Sequence, residues 1–142
     1  MQEQIIIFLY SGGYKAVSSM KGSSILVVED DGIIALRSQE LLTKNGYSVP
    51  CPFSSGEDLL EYLARAPMPD LILMDIGLMG ALNGIETARE VRRRYHIPVI
   101  FLTAYSNEQR VADAREISPY GYIIKPFVEH DLLKSIEKVL AG

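Results

Sequence analysis

The chain has 142 residues, 48% of them hydrophobic and 23% charged, with a formal net charge of -4. That length fits one domain with a single sizeable core, and the composition is that of an ordinary globular protein. The acidic balance argues against a nucleic-acid-binding surface, which normally carries a basic excess. Cys51 is the only cysteine, so no internal disulfide can form, which suits a reducing cytosol and a cytoplasmic location.

Ile5 to Tyr10 (IIIFLY) is the one strongly apolar N-terminal run. It is far short of the roughly 20 residues a membrane helix needs. Glu3 and the brevity of the run also fit a signal peptide poorly. No membrane association is expected. Residues 1–22 are read as an N-terminal extension, disordered or foreign to the domain, with an extra edge strand or a docking segment as alternatives. Met20 is an alternative start. Residues 23–142 form the domain proper.

From Ser23 onward, short apolar runs alternate with amphipathic stretches. Ile25-Leu26-Val27-Val28 reads as a strand buried on both faces and ends in Glu29-Asp30-Asp31. Residues 33–45 have helical composition, with Asp31 at the start and Gly46 as the stop. Tyr47 to Cys51 is a weaker strand, and Pro50 and Pro52 assign it to a sheet edge. Ser54-Ser55-Gly56-Glu57 matches a capping box, with Leu59, Leu60 and Leu63 on one face of the helix that follows.

Leu71 to Met74 is a second buried strand, ending in Asp75. A glycine-rich loop, 77–84, precedes a helix marked by Ile85, Ala88 and Val91. Arg92, Arg93 and Arg94 fall in its last turn, where cations complement the helix dipole, and read as a solvated helix end. Val99 to Leu102 is a strand ending in Thr103. Asn107 to Ile117 is a further helix. Tyr122 to Ile124 is the fifth strand, ending in Lys125-Pro126, and Leu132, Leu133, Ile136, Val139 and Leu140 mark the final helix.

Five strands, each followed by a helix, imply an α/β fold: a doubly wound parallel sheet of flavodoxin-like (βα)5 type, single domain, strand order 2-1-3-4-5. Ligands of such sheets bind beyond the carboxyl ends of the strands. Those ends carry Glu29 and Asp30, Asp75, Thr103 and Lys125. Adjacent strands lie roughly 4.8 Å apart, so the three carboxylates should cluster, with Thr103 beside Asp75 and Lys125 reaching across. Clustered carboxylates repel one another unless a cation joins them, and oxygen-only ligands favour Mg2+. Asp75 can then act as a nucleophile toward a phosphoryl group. Alone, Asp75 would read as a loop cap, Thr103 as a strand residue and Lys125 as a surface charge. Their convergence favours the functional reading.

The runs ILVVEDD, LILMDI, VIFLTAY and GYIIKPF resemble, in order and approximate spacing, the signature segments of CheY-like response-regulator receiver domains of two-component systems. The likeness covers residues 23–141. It implies Asp75 as phosphoacceptor, Asp30 as direct Mg2+ ligand, Glu29 as the neighbouring acid and the Gly77 backbone carbonyl as a third protein ligand. It implies Thr103 as switch hydroxyl, Lys125 as phosphate-pairing ammonium and Tyr122 as the aromatic that turns inward on switching. A sensor histidine kinase would be the phosphodonor and an unidentified protein the downstream partner. That partner would be met at the surface of helix 107–117, strand 122–124 and the final helix. The state would be a monomer or a phosphorylation-dependent dimer.

Two departures stand out. The loop after Asp75 (IGLMGALNG) lacks the family's proline four residues on and is one residue longer. Gly77 and Tyr105 fill the positions that tune water access to the phosphoryl group, with opposing tendencies. The domain is expected not to be an enzyme beyond its own phosphorylation and dephosphorylation, standing alone or as part of a hybrid kinase. The alternative is a phosphorylation-independent interaction domain of the same fold. A hydrolase with an Asp-x-Asp turn and a nucleotide-binding enzyme both lack their motifs. His96 and His130 have no ligand-spaced neighbours. Cys51 reads as a small apolar residue.

Overall fold

The computed structural model describes residues 22–78, 82–103, 112, 116, 122–124 and 127–142. In chain order these are β1 (Ile25–Val28), α1 (Gly32–Lys44), α2 (Gly56–Leu63), β2 (Leu71–Asp75), α3 (Gly84–Arg94), β3 (Val99–Thr103), β4 (Tyr122–Ile124) and α4 (Glu129–Ala141). Of the expected 107–117 helix only Ala112 and Glu116 are described, and both are helical. The reading of residues 1–21 lies outside the described residues.

The strands form a four-stranded sheet in the order β1-β2-β3-β4, and every pair is parallel. Helices cover both faces because side chains alternate along each strand. Leu26, Val28, Ile72, Met74, Val99 and Phe101 pack with Leu59 and Leu63 of α2 and Ala88 and Val91 of α3. Ile25, Val27, Leu71, Leu73, Ile100 and Leu102 pack on the other face with Leu42 of α1 and Leu132 and Ile136 of α4. This is the doubly wound, flavodoxin-like arrangement the alternating pattern requires.

The expected second strand, Tyr47 to Cys51, does not form as a continuous strand. Its segment lies along the free edge of β1, as the strand order demands, through two isolated parallel bridges, Ser24 to Ser48 and Val28 to Phe53. The segment advances five residues where β1 advances four, so one residue bulges out. Pro50 and Pro52 have no N–H to give a ladder. Gln39 of α1 compensates, its Nε2 donating to the carbonyls of Val49 and Pro50 at 3.2 Å each.

Helix ends follow local chemistry. Asp31 caps α1, its Oδ1 accepting from Ile33 and Ile34 N–H. The C-cap of α1 is Asn45, and Gly46, the expected stop, follows at φ +95°. The N–H groups of Gly46 and Tyr47 return to Thr43 and Leu42 carbonyls at 3.1 Å, a Schellman closure. Ser55, not Ser54, caps α2 by accepting from Asp58 N–H. The reciprocal capping box belongs to α3. Asn83 accepts from Glu86 N–H while Glu86 accepts from Asn83 N–H. It was hidden in what reads as a glycine-rich loop.

Tyr47 is buried under this edge, and burial, then the negative charge of Glu137, raises its phenol above the ordinary 10.0. The folded state therefore holds that proton more tightly than the unfolded chain. Its contribution is complete below the unfolded value near pH 10 and is lost as pH climbs through the raised one. Tyr47→Phe should lose less stability than the wild type above pH 10 in urea unfolding series, and none of the difference should persist at pH 8.

Candidate functional site

The site is assembled by the strand ends. The register pairs Val28 with Met74 and Asp75 with Leu102, which brings Glu29 beside Asp75 and Thr103 one step beyond it. Glu29 is fixed at its backbone by donating to the Phe53 carbonyl at 2.8 Å, so even the broken edge segment holds the acidic corner in place. Its Oε2 accepts from Asp31 N–H at 3.2 Å. Asp75 Oδ1 accepts from Gly77 N–H at 2.9 Å, which fixes the carboxylate against the turn that leaves β2.

Glu29, Asp30 and Asp75 each present a carboxylate oxygen within 4.8 Å of the others. Glu29 (3% exposed) and Asp75 (6%) are buried, while Asp30 is open to solvent. Two ionised carboxylates at that range repel by about 3 kcal/mol at an effective dielectric near 20. Burying both asks for cationic compensation. The donors are all oxygen and one flank is open, which fits a hard, partly hydrated divalent cation such as Mg2+. Thr103 is buried at 6% exposure at the end of β3. Tyr122, at the start of β4, is half-buried and packs against the cluster that holds Phe101 and Met74. Lys125 and Tyr105 lie outside the described residues.

His96 and His130 are exposed, and so is Cys51, which is not packed as a small apolar side chain. Glu90 bridges Arg93 and Arg94 at 2.8 and 3.0 Å. The Arg93 hydrogen bond is the main cause holding the Glu90 carboxyl below its ordinary range. Arg92, exposed like Arg93 and Arg94, donates to the Glu116 carbonyl at 3.0 Å. Sequence reasoning missed two glycine contacts behind Asp75. A methyl on Gly84 would collide with the Asp75 carbonyl oxygen, and one on Gly56 with Thr87 Oγ1. No sequence pattern marks the second, because it joins two different helices.

A doubly wound parallel sheet with an acidic triplet and a buried threonine at its carboxyl edge defines a receiver-type signalling fold. The comparisons agree. The sequence model of the response regulator receiver domain matches residues 25–137, and the chain belongs to that family of two-component systems. It is 34% identical over 113 residues to the transcriptional regulatory protein PdtaR of Mycobacterium tuberculosis, covering 80% of this chain and 54% of that protein. The chain thus spans about half the length of the curated relatives it matches. Among solved structures, it is 36% identical to the N-terminal domain of a response regulator/sensory box/GGDEF protein from Carboxydothermus hydrogenoformans. That match has a TM-score of 0.74 and covers 82% of this chain and 93% of that one. The signal receiver domain of a modulated diguanylate cyclase from Desulfovibrio desulfuricans is 32% identical with a TM-score of 0.78, over 84% and 94% of the two chains. Among the described residues, no helix is long and apolar enough to cross a membrane.

Proposed function

We propose that the domain is a phosphorylatable switch in which Asp75 accepts a phosphoryl group from a sensor histidine kinase in the presence of Mg2+. The observation that carries this reading is the convergence of Glu29, Asp30 and Asp75 oxygens within 4.8 Å at the carboxyl edge of the sheet. Glu29, Asp30, Asp75 and the Gly77 carbonyl would hold the ion, which when bound neutralises charge on the phosphoryl oxygens.

The protein's own residues do the rest. An Asp75 carboxylate oxygen forms the new bond to phosphorus. The donor's phosphorus–nitrogen bond breaks, and the imidazole leaves with the electron pair. With Asp75 Oδ1 tied to Gly77 N–H, the carboxylate is held in one orientation, and positioning supplies much of the rate. The Thr103 hydroxyl donates to a phosphoryl oxygen, and the Lys125 ammonium pairs with another. Tyr122 turns inward as Thr103 moves. A changed surface then meets a downstream protein, as a monomer or a phosphorylation-dependent dimer, in the cytoplasm. Hydrolysis by water returns Asp75 to the carboxylate, so turnover is confined to the domain's own phosphoryl group and it is no enzyme toward other substrates.

The test is intact mass after treatment with acetyl phosphate, with and without Mg2+. One Mg2+-dependent phosphoryl adduct is expected. If neither an adduct nor beryllofluoride binding is found, the reading gives way to a phosphorylation-independent interaction domain.

Relief of the buried carboxylate repulsion gives a second expectation. At a Mg2+ concentration ten times its Kd, stability should rise by about 1.4 kcal/mol. That corresponds to roughly 3–6 °C in Tm for a domain of this size. Thermal unfolding in EDTA against Mg2+ checks it, and Asp30→Ala should remove most of the increment.

A further inference from the structure

We infer that Gly56 and Gly84 clamp the start of α3 and thereby set the position of Asp75, which makes Gly56 a positioning residue for a site it does not touch. The inference rests on the role proposed for Asp75 and adds what holds that residue in place.

The chain of contacts begins at the site. Gly84 opens α3 and is buried against the end of β2. Its N–H donates to the Ile76 carbonyl at 3.2 Å. An added Cβ would overlap the Asp75 carbonyl oxygen and come within 2.8 Å of both the Asp75 carbonyl carbon and Ile76 Cα. These are backbone atoms at the end of β2 and just past it, and cannot turn aside. The first turn of α3 is therefore seated directly on the backbone of the acceptor residue, at a distance only glycine permits.

The other side of that turn is also fixed. Thr87, fully buried, donates its hydroxyl to the Asn83 carbonyl at 2.7 Å, joining the second turn of α3 to its cap. Gly56, the first residue of α2, faces this threonine. An added Cβ there would overlap Oγ1 and lie 3.0 and 3.1 Å from Cβ and Cγ2. Rotating Thr87 so that its Cβ hydrogen faces position 56 sacrifices the bond to Asn83 and still leaves Thr87 Cβ at 3.0 Å. A side chain at position 56 that leaves this bond intact is accommodated by moving α2 or α3. Because α3 rests on Asp75 without slack, displacement of α3 is passed to the carboxylate. Packed interiors transmit such shifts because they compress little.

The experiment compares the wild-type 142-residue chain with Gly56→Ala, Thr87→Ala and the double variant. Backbone amide shifts of Asp75, Ile76 and Gly77 are read by NMR, and phosphorylation by acetyl phosphate is followed as intact mass. Gly56→Ala is expected to shift the 75–77 amides and to slow phosphorylation about tenfold, the scale of a sub-ångström misplacement. Thr87→Ala removes Oγ1, the atom that an alanine at 56 would strike hardest, together with Cγ2. The double variant should therefore recover to within about threefold of wild type.

If the amide changes in folded Gly56→Ala stop at residues 83–88 and the rate is unchanged, the contact is helix packing alone and the inference falls. Should Gly56→Ala not fold, Thr87→Ala decides: loss of its bond to Asn83 must shift the 75–77 amides measurably, by less than a clash at 56 would and with phosphorylation within about threefold of wild type. Unmoved amides in that variant overturn the clamp. A wild type that takes no phosphoryl group refutes the acceptor reading instead, while the amide shifts still test the clamp.

Discussion

Asp75→Asn should leave the fold intact and reduce phosphoryl acceptance by at least about 10³-fold, the order seen when a nucleophile is removed. The substitution keeps the size of the side chain and one carbonyl oxygen, so the Gly77 N–H retains an acceptor where Asp75 Oδ1 now sits at 2.9 Å. What it removes is the charge and the anionic oxygen that attacks phosphorus. In buffer without divalent cations it also removes one of two buried carboxylates, Glu29 being the other, and with it their mutual repulsion. The variant should therefore be at least as stable as the wild type in EDTA and gain less from Mg2+. Intact mass after acetyl phosphate, paired with thermal unfolding in both buffers, checks the two halves. A variant that still gains one phosphoryl group would move the acceptor to another residue and take the proposed chemistry with it.

Such separation of chemistry from fold explains what was readable in the sequence. Glu29, Asp30, Asp75 and Thr103 were legible because each ends an apolar run, and an open parallel sheet places strand ends together whatever the loops do. The two faces of the core were legible for the same reason: Leu26 and Ile25 alternate between them as neighbours in a strand must. The edge segment was less so. Pro50 and Pro52 announced an edge, but whether the segment holds a ladder or two bridges depends on Gln39 reaching its carbonyls from α1. Local motifs misled by small registers. Ser54 and Ser55 both offer a hydroxyl, and it is Ser55, directly before the first helical residue Gly56, that caps. Asn83 and Glu86 have the spacing of a capping box, yet the glycines around them read as loop. The contacts of Gly56 and Gly84 are tertiary and leave no periodic trace.

Phe101→Ala should cost about 3–5 kcal/mol, the range for emptying a buried aromatic site. Phe101 is fully buried on β3, in register with Met74 on one side and Tyr122 on the other. It packs in the cluster that joins the sheet to α2 and α3. Four strands running through the middle of that cluster cannot collapse into the vacated volume without breaking their pairing, so the cavity term is retained. Against a total stability of about 5–15 kcal/mol, this loss is severe. With m near 2 kcal/mol/M, the urea midpoint should fall by about 2 M. Phe101→Leu, which keeps much of the volume, should lose less than half as much. The ladder that carries Thr103, two residues on, is made of backbone bonds to β2 and β4. Molecules of Phe101→Ala that remain folded at low temperature should therefore accept a phosphoryl group within a few-fold of the wild-type rate. A midpoint shift under 0.5 M (about 1 kcal/mol at that m) would mean that the sheet repacks around position 101. A folded but inert variant would mean that Phe101 sets the position of Thr103.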